Sequence, residues 1–381
     1  MDVRFSEEQK LLRSSARDFL SAECPISFVR EMMEDERGCT DAFWLSIVAL
    51  GWTGLTIDER FGGSSLGPLD LAILMEETGR ALMPGPLFSS LVLGAAVIAQ
   101  AGSDEQKQRW MPEIAAGRLT VAVARLEEGV DWGPAGLGAR IVAAGHDFSL
   151  SASKLFVIDG HSAGLFVVPA RGETGVSLAL VPADAPGVEV AATDYTDLTR
   201  RVASVRFTDT PVSSQCLLGG GEDAWPALVR AEDLARVALA AEMCGGAEKA
   251  LELSVEYAKA REQFGRPIGS FQALQHQLAD MLVMVESARS ALYYAAWSVA
   301  NDSGARSHAA ACMAKAYCSE AFARVSGRSI QIYGGMGFTW EADPQIYYKR
   351  AKACESLLGS DPWNREEAAA VLIDGVGEWG V

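Results

Sequence analysis

Residues 257–281 read YAKAREQFGRPIGSFQALQHQLADM and connect two long amphipathic stretches. Apolar residues step by three and four from 237 to 258 on the upstream side, and from 271 to 295 on the downstream side. This spacing predicts two long helices that pack as an antiparallel pair within a bundle. The short connection carries Arg261 and Arg266, whose guanidinium groups are suited to binding an anion.

The residues alone leave two interpretations of these arginines open. Arg261 and Arg266 could satisfy carbonyl groups at the helix end or form a surface ion pair, which is common for an isolated pair of this spacing. Alternatively, they bind a pyrophosphate, with Phe264 as an apolar platform for a ring. Composition and spacing do not decide between the two.

The sequence pattern changes twice along the chain. It is helical up to about residue 119, then consists of short alternating runs separated by glycine, proline and aspartate, and is helical again from about residue 220. The alternating runs predict an antiparallel sheet or barrel. We therefore predict an α+β fold with an N-terminal helical domain (1–119), a middle antiparallel β-barrel domain (120–219) and a C-terminal four-helix-bundle domain (220–381).

Composition narrows the possible partners and ligands. The formal net charge of −17 argues against nucleic acid and anionic membranes, because phosphate neutralisation requires a basic face. The most apolar run, LFSSLVLGAAVIAQAG, is shorter than the roughly 20 residues of a membrane span, and we expect no signal peptide. Seven cysteines without a CxxC pair indicate a reduced, cytoplasmic protein. Four scattered histidines predict no metal site.

Two segments together resemble the acyl-CoA dehydrogenase family. They are the 257–281 segment quoted above and IQIYGGMGFTWEADPQIYYKRAKA at 330–353, and they stand at that family's mutual distance. The resemblance implies the family's three-domain fold over the whole chain. It also implies a tetramer, with FAD as the cofactor between two subunits: one subunit covers the flavin ring with its β domain, and its neighbour reaches across with the two segments.

The resemblance also implies roles for particular residues of this chain. Arg261 would bind the FAD pyrophosphate, and Gln263 and Phe264 would lie beside it toward the adenosine. The adenosine end would be lined by residues of the second segment, where glycine permits close approach of the backbone. The complete set of FAD-binding candidates is Arg261, Gln263, Phe264, Gln272, Gln331, Gly334, Gly335 and Phe156.

The family's catalytic base is missing from both of its usual positions. Family chemistry removes the α-proton of an acyl thioester with a carboxylate, while a hydride passes to flavin N5. Most members carry that carboxylate where this chain has Leu358, and a minority carry it where this chain has Ala235. Glu232 and Asp233 are the nearest substitutes, although such an acidic pair is more often a solvated helical turn. The catalytic residue therefore stays unassigned.

The middle domain also departs from the family. A Trp-Ile-Thr-Asn-Gly segment that normally contacts the flavin ring corresponds here to FVIDG, so that Phe156 replaces the tryptophan and Ile158 the threonine. Phe156 can still stack on a ring, but Ile158 cannot donate a hydrogen bond. The family's glycine-rich loop over the flavin is replaced by ARLEEGVDWGPAG at 124–136.

These changes follow one pattern. Residues that serve a subunit's own flavin and base are altered, whereas those that reach into a neighbour's site are kept. We expect an FAD-linked acyl-CoA dehydrogenase of fatty acid or steroid side-chain catabolism, or the subunit of a heteromeric one that completes FAD sites on a second, base-bearing subunit. The alternatives are a self-sufficient homotetramer, a flavin-dependent monooxygenase or oxidase on the same fold, and a non-redox acyl-thioester-binding protein.

Overall fold

The computed structural model describes residues 5–129, 132–220, 222–302 and 304–374. Helices come first, then a sheet, then helices again, so the predicted fold class is confirmed. The first group comprises α1 (Glu7–Glu23), α2 (Ile26–Glu34), α3 (Asp41–Ala49), α4 (Pro68–Ala81), α5 (Ala96–Ala101) and α6 (Asp104–Ala115). A π-helical segment, Phe88–Ala95, runs directly into α5.

The strands form the middle of the chain. They are β1 (Val121–Val123), β2 (Arg140–Ala144), β3 (Asp147–Ile158), β4 (Leu165–Arg171), β5 (Val176–Pro182), β6 (Val188–Ala192), β7 (Val202–Val212) and β8 (Leu217–Leu218). The last group comprises α7 (Trp225–Ala260), the short strands β9 (Glu262–Gln263) and β10 (Arg266–Pro267), α8 (Gln272–Asn301), α9 (Ala305–Tyr333), α10 (Pro344–Ser356) and α11 (Asp361–Asp374). No helix within the described ranges is long and apolar enough to cross a membrane.

The chain divides into two compact units. The helical unit comprises Met1–Arg30, Gly67–Met83 and Arg236–Val381, and the sheet unit comprises Glu31–Leu66 and Pro84–Ala235. The domain limits at residues 119 and 219 stay a prediction.

The sheet follows the order β6–β7–β3–β2–β4–β5–β8, with β1 joined to β4. Most neighbours are antiparallel, as predicted, but β1 and β2 each pair with β4 in parallel. Antiparallel neighbours can be joined by a tight hairpin, whereas parallel pairing requires a long connection, which β3 and its turns supply here. The core of the sheet unit includes Phe166 and Phe207, whose rings meet edge to face at 5.8 Å.

Two glycines allow α4 and α7 of the helical unit to cross closely. A Cβ added at Gly79 would lie 1.9 Å from the Glu242 carbonyl oxygen, and one added at Gly245 would lie 1.8 Å from the Glu76 carbonyl oxygen. Only glycine permits this backbone separation.

A buried charge network joins helices of the same unit. Its acceptors are the buried carboxylates of Glu76 and Glu77 in α4. Arg13 of α1 donates to Glu77 at 3.1 Å, and Arg289 of α8 donates to Glu76 at 2.9 Å. The Tyr293 hydroxyl also donates to Glu76, and burial together with this carboxylate raises the pKa of Tyr293. Because the carboxylates are buried, they depend on these donors.

We expect Glu76→Ala to lower the free energy of unfolding by about 3–5 kcal/mol, because it removes a buried carboxylate that Arg13, Arg289 and Tyr293 all bind. Glu286→Ala is the matched control, since Glu286 also binds Arg289 but is exposed, and it should cost about 0–1 kcal/mol. Urea denaturation measures both values. Equal losses in the two variants would contradict this role of Glu76.

Candidate functional site

The connection after α7 is a hairpin with a strained tip. Arg266 pairs with Gln263, and the two tip residues, Phe264 and Gly265, have φ values of 55° and 74°. Positive φ at both positions defines a type I′ turn, which suits asparagine and glycine and disfavours a bulky residue. Phe264 is nevertheless 91% exposed. The turn therefore presents an aromatic ring to the outside of the chain.

The two arginines of the hairpin have different surroundings. The Arg266 guanidinium lies over the Phe271 ring, 4.1 Å from its centroid, and Phe264 meets the same ring edge-on at 6.0 Å. Arg261 is exposed, and its side chain forms no hydrogen bond or ion pair with any residue that the structure describes. Arg266 thus belongs to the packing of the hairpin, whereas the Arg261 guanidinium is available to a ligand.

The second segment presents bare backbone. Gly334 and Gly335 follow the last residue of α9, and Gly334 has a φ of 62°. A Cβ added at either glycine would meet no atom within 4 Å. Packing within the chain therefore does not fill this space, and a group outside the chain can approach the backbone. Gln331, on the last turn of α9, is also exposed.

An aromatic stack brings the two segments together. Tyr257, near the end of α7, stacks on Tyr333, the last residue of α9, with ring centroids 3.9 Å apart and planes at 15°. The Tyr333 hydroxyl donates to the Leu253 carbonyl at 3.2 Å. The hairpin and the glycine turn therefore leave from adjacent helix ends. Sequence analysis missed this pair, although one tyrosine precedes Arg261 by four residues and the other directly precedes the glycines.

The other two glutamine candidates also lie at the surface of the hairpin region. Gln263 is exposed, and its side-chain amide donates to the Glu262 carbonyl at 2.8 Å. Gln272 is exposed on the first turn of α8. Both candidates therefore lie within a few residues of Arg261 or of the helix start that follows it.

Both family positions for the catalytic base are buried. Ala235 is fully enclosed, and Leu358 is buried in a loop with a left-handed φ of 54°. The Leu358 carbonyl accepts hydrogen bonds from Arg236 Nε at 3.3 Å and Asn364 Nδ2 at 3.2 Å. An aliphatic side chain thus occupies a position whose backbone is held by two polar groups.

Lys315 binds the same loop. Its buried ammonium group donates to the carbonyls of Glu355 at 2.9 Å and Gly359 at 2.7 Å, and to the Asp361 carboxylate at 3.1 Å. Burial lowers the pKa of Lys315, and Asp361 opposes that effect. The loop that carries Leu358 is therefore fixed without any carboxylate at position 358.

The substitute carboxylates are not solvated. Glu232 and Asp233 are both buried, so the expected solvated turn is not found. Glu232 accepts from Arg125 Nε at 2.9 Å, and the Arg125 guanidinium also lies over the rings of Trp132 and Trp225, at 5.5 and 4.8 Å. The Glu232 carboxylate is therefore already engaged by a buried arginine of its own unit.

The 124–136 loop is tied to the sheet unit by a second ion pair. Glu127 accepts from Lys154 Nζ at 2.6 Å and from the backbone of Gly138 and Ala139 at 2.8 and 3.0 Å. Burial lowers the pKa of Lys154 to about 8, although Glu127 acts in the opposite direction. Residues 130 and 131 of the loop lie outside the described residues.

Phe156 lies at an irregularity in β3. Lys154 pairs with Val205 and Val157 with Ala203, so that β3 carries one extra residue at this point. Phe156 has a φ of 51° and is exposed, and its ring centroid lies 6.2 Å from that of Tyr195. Such bulges redirect a side chain.

Comparison with known proteins identifies the family. Residues 6–118 match the model described as acyl-CoA dehydrogenase, N-terminal domain, and residues 225–373 match acyl-CoA dehydrogenase, C-terminal domain. The chain is 35% identical over 355 residues to acyl-CoA dehydrogenase IpdE2 of Mycolicibacterium smegmatis, an alignment that covers 93% of this chain and 95% of that protein. The chain belongs to the acyl-CoA dehydrogenase family.

Solved structures agree with this assignment. The ChsE4–ChsE5 complex from Mycobacterium tuberculosis is 29% identical with a TM-score of 0.90, and the match covers 100% of both chains. A variant of the Tcur3481–Tcur3483 steroid ACAD is 32% identical with a TM-score of 0.88, covering 98% of this chain and 99% of that one.

FAD is the cofactor of this family, and the helical unit has features that fit it. Arg261 offers a free guanidinium to a pyrophosphate, and the unfilled space at Gly334 and Gly335 permits close approach of a ligand to backbone. The sheet unit fits less well. Ile158 is buried and offers no side-chain donor to a flavin ring, and Phe156 already contacts another ring.

We expect Lys315→Met to lower the free energy of unfolding by about 2–4 kcal/mol, because loop acceptors lose a buried donor. Hydrogen exchange of the 355–361 backbone should rise in the same variant. Lys352→Met is the matched control, because Lys352 is exposed and pairs with the Glu355 side chain at the surface, and it should change stability by about 0–1 kcal/mol. Unchanged exchange in Lys315→Met would show that Lys315 does not hold the loop.

Proposed function

We propose that this chain is the subunit of a heteromeric acyl-CoA dehydrogenase that completes an FAD site on a second, base-bearing subunit. The contrast between two sets of residues supports the proposal. Arg261 matches the family segment and is exposed. The Gly334–Gly335 turn also matches it, and no atom of the chain fills the space where a Cβ would stand. By contrast, Leu358 and Ala235 occupy the base positions with buried aliphatic side chains.

Each kept residue would have a defined task. The Arg261 guanidinium would bind the diphosphate through charge-assisted hydrogen bonds. Gln263, Phe264 and Gln272 would lie beside it, with the Phe264 ring as an apolar surface for the cofactor. Gln331 and the backbone of the glycine turn would line the adenosine end. The Tyr257–Tyr333 stack would hold these groups at a fixed separation, since both segments leave from it.

The chemical step would then belong to the second subunit. Dehydrogenation of an acyl-CoA breaks the C–H bonds at the α and β carbons and forms a double bond between them. When bound, FAD supplies the acceptor for the hydride from the β carbon. A carboxylate must take the α-proton, and this chain has none at either family position. Glu232 is a weak substitute because Arg125 already binds it at 2.9 Å.

The named relatives support a second subunit and a bulky substrate. One similar structure is a ChsE4–ChsE5 complex, and another is described as a steroid ACAD with two named components. We extend both features to this chain: assembly with another acyl-CoA dehydrogenase subunit, as a cytoplasmic tetramer, and an acyl-CoA whose acyl group is of steroid type. The aliphatic side chains at both base positions are consistent with a chain that leaves the catalysis to its partner.

We expect Arg261→Ala to weaken FAD binding by the assembly with the base-bearing subunit about 10- to 150-fold. A hydrogen bond to a charged group contributes about 1.5–3 kcal/mol, and each 1.4 kcal/mol corresponds to a factor of ten in affinity. Titration of the FAD-free assembly, followed by flavin fluorescence, measures the dissociation constant.

Lys259→Ala is the matched control for this measurement. Lys259 carries the same charge near the same helix end but pairs with Glu256 at 2.8 Å, so its removal should leave FAD affinity within about twofold, as expected for a screened surface charge. The melting temperatures of both variants should match that of the parent chain. Unchanged FAD affinity in Arg261→Ala would refute the assignment of the pyrophosphate site.

A further inference from the structure

We propose that the Tyr257–Tyr333 stack joins the Arg261 hairpin and the Gly334–Gly335 turn into one binding element, so that their contributions to FAD binding depend on each other. Tyr333 is the positioning residue of this element, because it directly precedes the glycine turn and packs against α7. The inference rests on the proposed function, in which both segments bind FAD held by a second subunit. It adds that neither segment binds at full strength unless the stack is intact.

The backbone of Arg261 is fixed to Tyr257, on the last turn of α7. The Arg261 N–H donates to the Tyr257 carbonyl at 2.8 Å, and the Arg261 carbonyl accepts from Ile268 N at 2.8 Å, across the base of the hairpin. The side chain of Arg261, by contrast, is exposed. The position from which the guanidinium leaves the chain is therefore set by Tyr257.

The glycine turn is fixed to the end of α9 in a similar way. Gly334 follows Tyr333 directly, and the turn then folds back onto the helix. A Cβ added at Gly337 would lie 2.5 Å from the Ile330 carbonyl oxygen, a separation that only glycine permits. The bare backbone of the turn therefore follows the orientation of the last turn of α9, which carries Tyr333.

Contacts between α7 and α9 form a short ladder that includes the stack. One turn earlier on both helices, the buried Ser254 hydroxyl donates to Ser329 Oγ at 2.8 Å. The Tyr333 hydroxyl donates to the Leu253 carbonyl at 3.2 Å, and its ring lies parallel to that of Tyr257 to within 15°. Among these contacts the stack lies nearest in sequence to the hairpin and to the glycine turn. Without the stack, the two helix ends could separate beyond the serine pair.

The stack is also shielded from water. Both rings are half-buried, and burial raises the pKa of Tyr333, so that its hydroxyl stays a hydrogen-bond donor at neutral pH. Residues that share a contact usually show coupled effects on stability or binding. Charge-assisted hydrogen bonds depend on geometry, so a guanidinium that moves relative to the glycine turn would lose affinity for a ligand bound by both.

The test is a double-mutant cycle on FAD binding by the full chain assembled with the base-bearing subunit. Tyr333→Leu removes one ring of the stack but keeps an apolar side chain, and it should weaken FAD binding about 2- to 12-fold. In the Tyr333→Leu background, Arg261→Ala should weaken FAD binding at least about twofold less than it does in the parent assembly. Tyr333→Phe keeps the ring, so its FAD affinity and its Arg261 effect should match those of the parent.

Trp297→Leu is the matched control. Trp297 stacks on Tyr294 within α8, with ring centroids 6.4 Å apart and planes at 29°, and it lies about 37 Å along the helix from Gln272, at about 1.5 Å per residue. Its loss should leave FAD affinity within about twofold and should add independently to the effect of Arg261→Ala. Tyr257→Leu removes the other ring of the Tyr257–Tyr333 stack and replaces Tyr333→Leu if that variant does not assemble.

Two outcomes would overturn the inference. The first is that the effects of Tyr333→Leu and Arg261→Ala simply add, and the second is unchanged FAD affinity in both Tyr333→Leu and Tyr257→Leu. In either case, a loss of affinity on Arg261→Ala alone would leave the proposed function standing. If Arg261→Ala had no effect in the parent assembly, the proposed function would fail, and this inference with it.

Discussion

Bulky side chains in the left-handed region of backbone conformation cost about 1–3 kcal/mol each, and this chain accepts that cost at Phe156, Phe264 and Leu358. The family resemblance places Phe156 and Phe264 in contact with FAD, and Leu358 at the usual position of the catalytic base. Each is held by its surroundings: a bulge in β3, a type I′ hairpin, and a loop bound through its carbonyls. The chain thus holds three bulky residues in an unfavourable backbone conformation, and at two of them, Phe156 and Leu358, the side chain differs from the one that the family resemblance leads us to expect.

Much of the fold could be predicted from the sequence because it rests on local periodicity. The three- and four-residue spacing gave the long helices α7 and α8, and the alternating runs gave the strands. The parallel pairing of β1 and β2 with β4 could not be predicted, because it depends on how the chain returns after β3. The different surroundings of Arg261 and Arg266 could not be predicted either, because the sequence does not show that the Phe271 ring packs against Arg266.

The predicted site residues were identified by resemblance, and the structure adds the contacts that explain their surroundings. The Tyr257–Tyr333 stack joins segments separated by more than 70 residues, and no local sequence pattern predicts such a contact. The sequence offers Glu232 as a substitute for the catalytic base but does not show its partner. In the structure Glu232 is buried and bound to Arg125, which is a structural role. Tyr195 escaped notice because nothing in its neighbourhood of the sequence relates it to Phe156.

We propose that Arg261 and the Gly334–Gly335 turn of this chain bind a cofactor that another subunit holds. The most direct measurement is the FAD content of the chain purified alone and of the chain co-purified with a base-bearing acyl-CoA dehydrogenase subunit, from flavin absorbance. We expect little flavin in the chain alone and, in the mixed assembly, flavin equal in amount to the second subunit. Full FAD occupancy of the chain alone, with turnover of an acyl-CoA, would contradict it.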